Sequence, residues 1–561
     1  MTLTKPGLMT GRLWFASLTC LTLLGGMVLS LILALLLIVD SVRPEIGLLL
    51  ALAITLAVNG LGFLLAPFLM DWIQAWLYNT RWVTPEELKA ASPQSLAILQ
   101  RICQERRISM PRLGIIDDDN PTAFTYGSLP SHARIVVSRG LFHYLDDEEV
   151  AAVYSHELGH IVHWDFAVMT LAASLVQVAY LIYVAGETFN RKSNNSGQAG
   201  GISIAAFLVY EVGSYLLLYL SRVREYFADQ FSATVSGNPN ALSRALVKIA
   251  YGIVQEQQRL NPQTQDAKRS RSRLLEGTRA LGVVDPRAAL STGTAFGINA
   301  NPQAITQVFL WDLFNPWAWW QELASTHPLT AKRIRALSTT AERMGRTAEF
   351  DMAQVIQAGR RLDQRRLLVR FSQDLLVANA AWVLALLGLL LGLAAGRMSF
   401  GLGWMSLGLS LGLLLQVNYL DPLAKQPEAS DVLALLSDPY ASPVRGRLVS
   451  LQGELIGRAN AGNRWSADME LRDASGLISL RYAALVPLVG ALVTARRRVP
   501  KLIGSEVTSV GWFRRGVAPW IDLRHLRVDR DGETLHSYPR IGLLVLSLVF
   551  LLIGCFGVVW R

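Results

Sequence analysis

The sequence predicts a mostly α, multi-span membrane protein with a cytoplasmic α+β domain and a small C-terminal β-barrel of OB-like type. Three observations carry this expectation. Of 561 residues 51% are apolar and only 17% charged, with a mean hydropathy of +0.31, which is unusual for a soluble chain. Seven uncharged or nearly uncharged stretches are about the 20 residues that cross a hydrocarbon core. Near the C terminus, five short alternating segments separated by glycine-bearing turns read as strands.

The first apolar run, residues 13–39, is too long for a signal-peptide core. A charged turn, Asp40 to Glu45, leads into the second, residues 46–70, so the two form a hairpin. The remaining runs are 166–186, 201–220, 375–395, 400–417 and 541–560; the third and fourth carry Gln177 and Glu211. Lys5 and Arg12 precede the first span, and Arg360, Arg361, Arg365, Arg366 and Arg370 precede the fifth. By the bias of basic residues toward the cytoplasm, the amino terminus and all the large polar segments face that side. The net charge of +10 needs no further partner on this reading. The expected order is a transmembrane hairpin (1–70), the first half of the polar domain (71–165) and a second hairpin (166–220). The second half (221–370), a third hairpin (371–420), the OB-like module (421–540) and a terminal helix (541–561) follow. Three scattered cysteines, Cys20, Cys103 and Cys555, provide no disulfide framework and no thiolate metal motif.

Asp146 with Glu149 three residues on has the spacing of a capping box, and Val150, Val153, Leu158 and Ile161 continue a helix. That helix carries His156-Glu157-Leu158-Gly159-His160. Histidines at i and i+4 share a face about 6 Å apart, suiting two corners of a tetrahedral zinc site. Glu157 then lies beside the metal without ligating it, placed to take a proton from the attacking water and pass it to a leaving amine. A catalytic zinc needs a third protein ligand. His163 and Phe166 stand where a metzincin would have glycine and histidine, so that arrangement fails. Glu225 with Asp229 one turn later provides the alternative: Glu225 ligates, and Asp229 accepts the outer ring proton of His156 or His160. The third span begins where the first helix ends, and the Glu225 helix emerges from the fourth. The membrane hairpin therefore brings the two helices together.

With these pieces in order, the sequence resembles the superfamily of HtpX and CAAX prenyl proteases, integral-membrane zinc metallopeptidases of gluzincin type. The resemblance spans residues 108 to 337. It rests on Pro121 to Gly127, Ser138 to Leu141, His156 to His160, Arg222 to Asp229 and Thr326 to Ile334. Thr122 departs from it, standing where the family usually has asparagine. The resemblance implies one zinc ion per chain and an endopeptidase acting on membrane or misfolded proteins, a protein quality-control role at the cytoplasmic face of the cell membrane. It also implies that His327 binds the tetrahedral intermediate and that Arg333 supports the substrate cleft. Ala123 and Phe124, in a segment rich in β-formers running to Tyr126, are candidate substrate-binding residues on an edge strand. Arg134 to Ser138 reads as the adjoining strand.

Asp165 reads as the end of the metal helix at the lipid boundary, and His132, His143, His163, His525 and His536 as lying outside the site. Glu211, within a span, is either a residue lining a wet cavity below the site or a hydrogen-bonded packing residue. The tryptophan-rich run Trp311 to Trp320 suits an interfacial anchor, a channel wall or a core cluster. In the OB-like module, Trp465, Trp512, Phe513 and Trp520 with Arg514 and Arg515 are the residues that would stack bases. Residues 421–540 hold 17 basic against 13 acidic residues, a modest balance that argues against nucleic acid and for a protein partner. A membrane scaffold built on a non-catalytic zinc site is the other reading, and Glu157 separates the two.

Overall fold

The protein is described by a computed structural model. It covers residues 60–61, 63–65, 67–76, 78–192, 196–259, 282–284, 291–294, 296, 302–395, 398–420, 426–459, 465–487 and 489–559. The first apolar run and most of the second lie outside these residues. Two compact units divide the chain. One comprises Met1–Ile249, Arg273–Asp285 and Glu322–Glu349, and the other comprises Ala250–Ser272, Pro286–Gln321 and Phe350–Arg561.

In the first unit, β1 (Arg81–Val83) precedes helices α1 (Pro85–Ala91) and α2 (Pro93–Arg106). Then come β2 (Arg112–Ile116), β3 (Ala123–Tyr126) and β4 (Arg134–Ser138), followed by α3 (Arg139–Tyr144) and α4 (Asp147–Val162). The sheet order is β1-β2-β4-β3, with β2 parallel to β4 and β3 antiparallel to it. β3 is therefore an edge strand, and one side of the sheet is completed by Asp71, which accepts from Tyr126 Oη at 2.8 Å and pairs with Arg134 at 2.8 Å. α4 starts on a complete capping box, Asp146 accepting from Glu149 N while Glu149 accepts from Asp146 N. Helix α5 (Asp165–Lys192) leaves α4 at 56°, and α6 (Ser196–Ser236) is one unbroken helix. α7 (Pro239–Arg259) belongs here through Ile249; the chain returns to the unit at Arg273–Asp285, leaves it for α8 (Pro302–Phe314) and most of α9 (Pro316–Glu322), and re-enters at Glu322 ahead of α10 (Thr330–Arg343).

The second unit holds α8, α11 (Met352–Arg360), α12 (Gln364–Ala378), α13 (Ala380–Ala394), α14 (Met398–Leu420) and the terminal α18 (Ile541–Val559). α13 and α14 approach backbone to backbone. A Cβ on Gly388 would sit 2.2 Å from Trp404 O, and one on Gly408 2.1 Å from Leu384 O, so only glycine fits at either contact. The outward faces are apolar: Leu391 is 66% and Leu552 62% exposed, as suits a lipid-facing surface. Between α14 and α18 lie β5 (Glu428–Ala429), α15 (Val432–Leu436), β6 (Arg447–Arg458), β7 (Met469–Asp473), β8 (Gly476–Arg481), α16 (Val489–Arg497), α17 (Val499–Leu502), β9 (Glu506–Arg514), β10 (Trp520–Val528) and β11 (Thr534–His536). β6 pairs with β7, β7 with β8, β8 with β10, β10 with β9, and β9 with β6, which closes a five-stranded barrel.

Three described helices are long and apolar enough to cross a membrane: Ser203–Ser236, Phe400–Leu420 and Ile541–Val559. The third and fifth apolar runs instead belong to two bent pairs, α4 with α5 and α12 with α13, the latter at 59°. The tryptophan run divides. Trp311 is fully buried and donates Nε1–H to Ala441 O at 3.0 Å, and Trp317 is buried, whereas Trp319 and Trp320 are exposed. Trp512, Phe513, Arg514 and Arg515, the groups that would have stacked bases on the disfavoured nucleic-acid reading, are buried. β9 is covered on both faces, with Arg540 stacked over Trp512 and Arg515 over Trp311. Only Trp465 of that set is well exposed, beneath Arg496.

Candidate metal centre

α4 and α6 touch where Gly159 faces Ala228 and Phe231; a Cβ there would lie 3.2 Å from Ala228 Cα. This close approach sets the imidazoles of α4 opposite the carboxylates of α6. His156 Nε2 and His160 Nε2 point at one another at 3.2 Å with their rings perpendicular. Glu225 spans the pair, Oε2 at 3.6 Å from His156 Nε2 and Oε1 at 3.6 Å from His160 Nε2. One ligand atom from each of the three lies within 4.8 Å of the others. Bonds of zinc length at tetrahedral angles separate ligand atoms by about 3.3 Å, so these spacings match three corners of such a site. Glu225 Oε2 is buried without a hydrogen bond, and the carboxylate as a whole faces both imidazole Nε2 atoms, an acceptor set of the kind a divalent cation takes. The donor set therefore fits zinc.

Each ligand is held from behind. His156 Nδ1 lies 3.0 Å from Asp229 Oδ1 in a bent contact that leaves Nδ1 without a well-formed hydrogen bond. Asp229 is fixed in turn by Arg333 through two bonds, Nη2 to Oδ1 at 2.6 Å and Nε to Oδ2 at 2.8 Å. Arg333 also reaches Glu225 Oε2 at 3.4 Å and donates to Val283 O. Burial opposes the charge of Arg333, but the Asp229 and Glu225 carboxylates more than offset it and hold the guanidinium above its ordinary range. Arg333 is fully buried in this network, so it braces the ligand helix instead of lining an open cleft.

The other expected site residues lie around this cluster. Glu157 is buried and accepts from Thr125 Oγ1 of β3 at 2.6 Å. His327 Nε2 stands 3.6 Å from Glu225 Oε1, and its Nδ1 is 2.9 Å from Thr326 Oγ1. The loop bearing it is pinned to α6, where Ser221 Oγ donates to Thr326 O and Arg222 Nη1 to the carbonyls of Glu322 and Ser325. Ala123 and Phe124 have fully buried side chains, so only their backbone can meet a ligand. Val283 N donates to Ala123 O at 3.1 Å, and Phe124 bridges Gly282, so the chain itself occupies that edge.

Two contacts have no counterpart in the sequence reading. Thr125 is one. Asp165 is the other: α4 stops at Val162, and Asp165, the first residue of α5, turns back so that Oδ2 lies 2.6 Å from His160 Nδ1. His163 caps α4, packs its ring edge-on against Phe231 and stays outside the ligand cluster. His525 and His536 face each other across β10 and β11.

Comparison with known proteins bears on what this centre belongs to. The model of peptidase family M48 matches residues 91–341, which contain every residue of the cluster. A protease HtpX homolog of Methanothermobacter thermautotrophicus is 32% identical over 228 residues, 41% of this chain and 83% of that protein. One from Acidiphilium cryptum is 35% identical over 213 residues, covering 37% and 70%, and one from Aquifex aeolicus 29% over 309 residues, covering 53% and 86%. A crystal structure of Ste24p from S. mikatae aligns with 18% identity and a TM-score of 0.30 over 58% of this chain and 66% of that one, too slight a likeness to build on. The barrel lies beyond the matched family region, but the chain covers most of the length of these proteases at 32 and 35% identity, and it belongs to peptidase family M48 as a membrane-bound metalloprotease of the HtpX group.

Proposed function

We propose that the protein is a zinc endopeptidase that cleaves membrane or misfolded proteins at the cytoplasmic face of the cell membrane. The observation that carries this is the convergence of His156, His160 and Glu225 within 4.8 Å, with the Glu157 carboxylate beside them on α4. A divalent cation held there would supply Lewis acidity, polarising a scissile carbonyl and acidifying water. Glu157 serves as general base: Thr125 hydrogen-bonds Oε2, which leaves Oε1 to take a proton from the attacking water and return it to the leaving nitrogen. In the tautomer where Thr326 Oγ1 donates to Nδ1, His327 carries its proton on Nε2 and aims it at the developing oxyanion, a contribution of about 3–4 kcal/mol. An extended substrate pairs with the backbone of β3 and displaces Val283 from Ala123 O in exchange for an equivalent bond.

The barrel, with β8 parallel to β10 and α16 between β8 and β9, suits an OB-like module that binds a protein partner. A non-catalytic scaffold would have no use for a base next to the ligand pair. The test is zinc content together with casein cleavage for wild type and Glu157→Ala. Retained zinc with cleavage reduced by two or more orders of magnitude is expected; cleavage unchanged by the substitution would overturn the reading.

A further inference from the structure

The sequence position of Asp165 gives no hint of a role at His160. Five residues at about 100° each carry the chain roughly 140° around a continuous helix, onto another face. The structure breaks the helix at this point. Val162 is the last residue of α4, Trp164 takes a left-handed backbone with φ 61°, and α5 sets off at 56°. That turn swings the first carboxylate of α5 back over the imidazole, 2.6 Å from Nδ1. Arg224, immediately before Glu225 on α6, closes the arrangement: it pairs with Asp165 Oδ1 and donates to His163 O at 2.8 Å, at the end of α4. Asp165 and Arg224 are both buried.

The geometry points to Asp165 and Arg224 as a positioning pair for the second histidine ligand. Asp165 accepts the Nδ1 proton of His160, which fixes the tautomer with its lone pair on Nε2 and sets the angle of the ring toward the metal. Arg224 aims Asp165 and ties it to the helix that brings Glu225. The orientation of one ligand is thereby set by the residue that opens a membrane-entering helix. The inference rests on His156, His160 and Glu225 holding the metal, and adds two residues that act through His160 alone.

The readout is zinc affinity of the full chain in nanodiscs, measured by competition with a chromophoric chelator, beside the thermal midpoint of the metal-free protein. Orienting partners of ligand histidines typically matter 10–100-fold, so Asp165→Ala is expected to weaken zinc binding by that factor. Asp165→Asn, which keeps an oxygen in place, should lose less, and it reports if the alanine variant fails to fold. Arg224→Met should also weaken binding, with Arg224→Lys restoring part of it. In a double-mutant cycle the second substitution should add little to the first, because both act on one contact. Asp146→Ala, which removes the α4 cap and nothing at the site, should lower the midpoint with zinc affinity unchanged. Wild-type affinity in Asp165→Ala, alongside weakened affinity in His160→Ala, overturns the inference and leaves the metal site standing. Wild-type affinity in His160→Ala overturns the site itself.

Discussion

Trp164 holds a conformation that L-residues avoid, with φ at 61° and its side chain 49% exposed. The left-handed region costs a residue with a Cβ roughly 1–2 kcal/mol, and glycine escapes that cost. Trp164→Gly is therefore expected to be about 1 kcal/mol more stable than Trp164→Ala, measured as thermal midpoints in the same detergent. Glu470 on β7 carries a different burden. Burial pushes its carboxyl up to about 8 from an ordinary value of 4.5. Between those two values the folded chain keeps a proton that the unfolded chain has released, so stability falls as pH rises through that window and the loss is complete above it. Glu470→Gln should raise the midpoint at pH 8.5 and change it little at pH 4.5. Some residue roles were plain from spacing and others were not. His156 and His160, or Glu225 and Asp229, are one turn apart and so share a face whatever surrounds them. Thr125 meets Glu157 only because a strand packs on a helix 32 positions away, and Asp165 meets His160 only because the backbone breaks.

At the level of elements, the α4 cap and the five barrel strands were legible, since a capping box and a period of two are local signals. Alternation does not say what covers the outer face of a strand. Trp512, Phe513 and Arg515 look like an exposed aromatic and basic patch, yet the face of β9 turned away from the barrel interior is itself covered, and these side chains become core. Helix packing is decided by the smallest residues. Gly388 and Gly408 let α13 and α14 meet at backbone distance. Gly408→Leu would drive a side chain into the Leu384 carbonyl, and the expected loss is about 1–3 kcal/mol or more, read as a lower midpoint with zinc content unchanged.

For the whole molecule, apolar stretches announce a membrane protein but not whether each is straight. Two of them belong to helix pairs bent by 56° and 59°, because the break lies in a few residues at the junction and leaves the hydropathy untouched. At the first of these junctions the bend also creates a catalytic-domain contact. The hydrogen bond from Val283 to Ala123 has a kinetic corollary. A strand that belongs to the same polypeptide meets its partner at a local concentration on the order of millimolar. On the proposed pairing of substrate with β3, free peptides must outcompete it, so short substrates are expected to show high KM even where kcat is ordinary, and long unfolded chains to be favoured. Val283→Pro removes the competing N–H. Michaelis analysis on a quenched fluorescent peptide should then give a lower KM with kcat little changed.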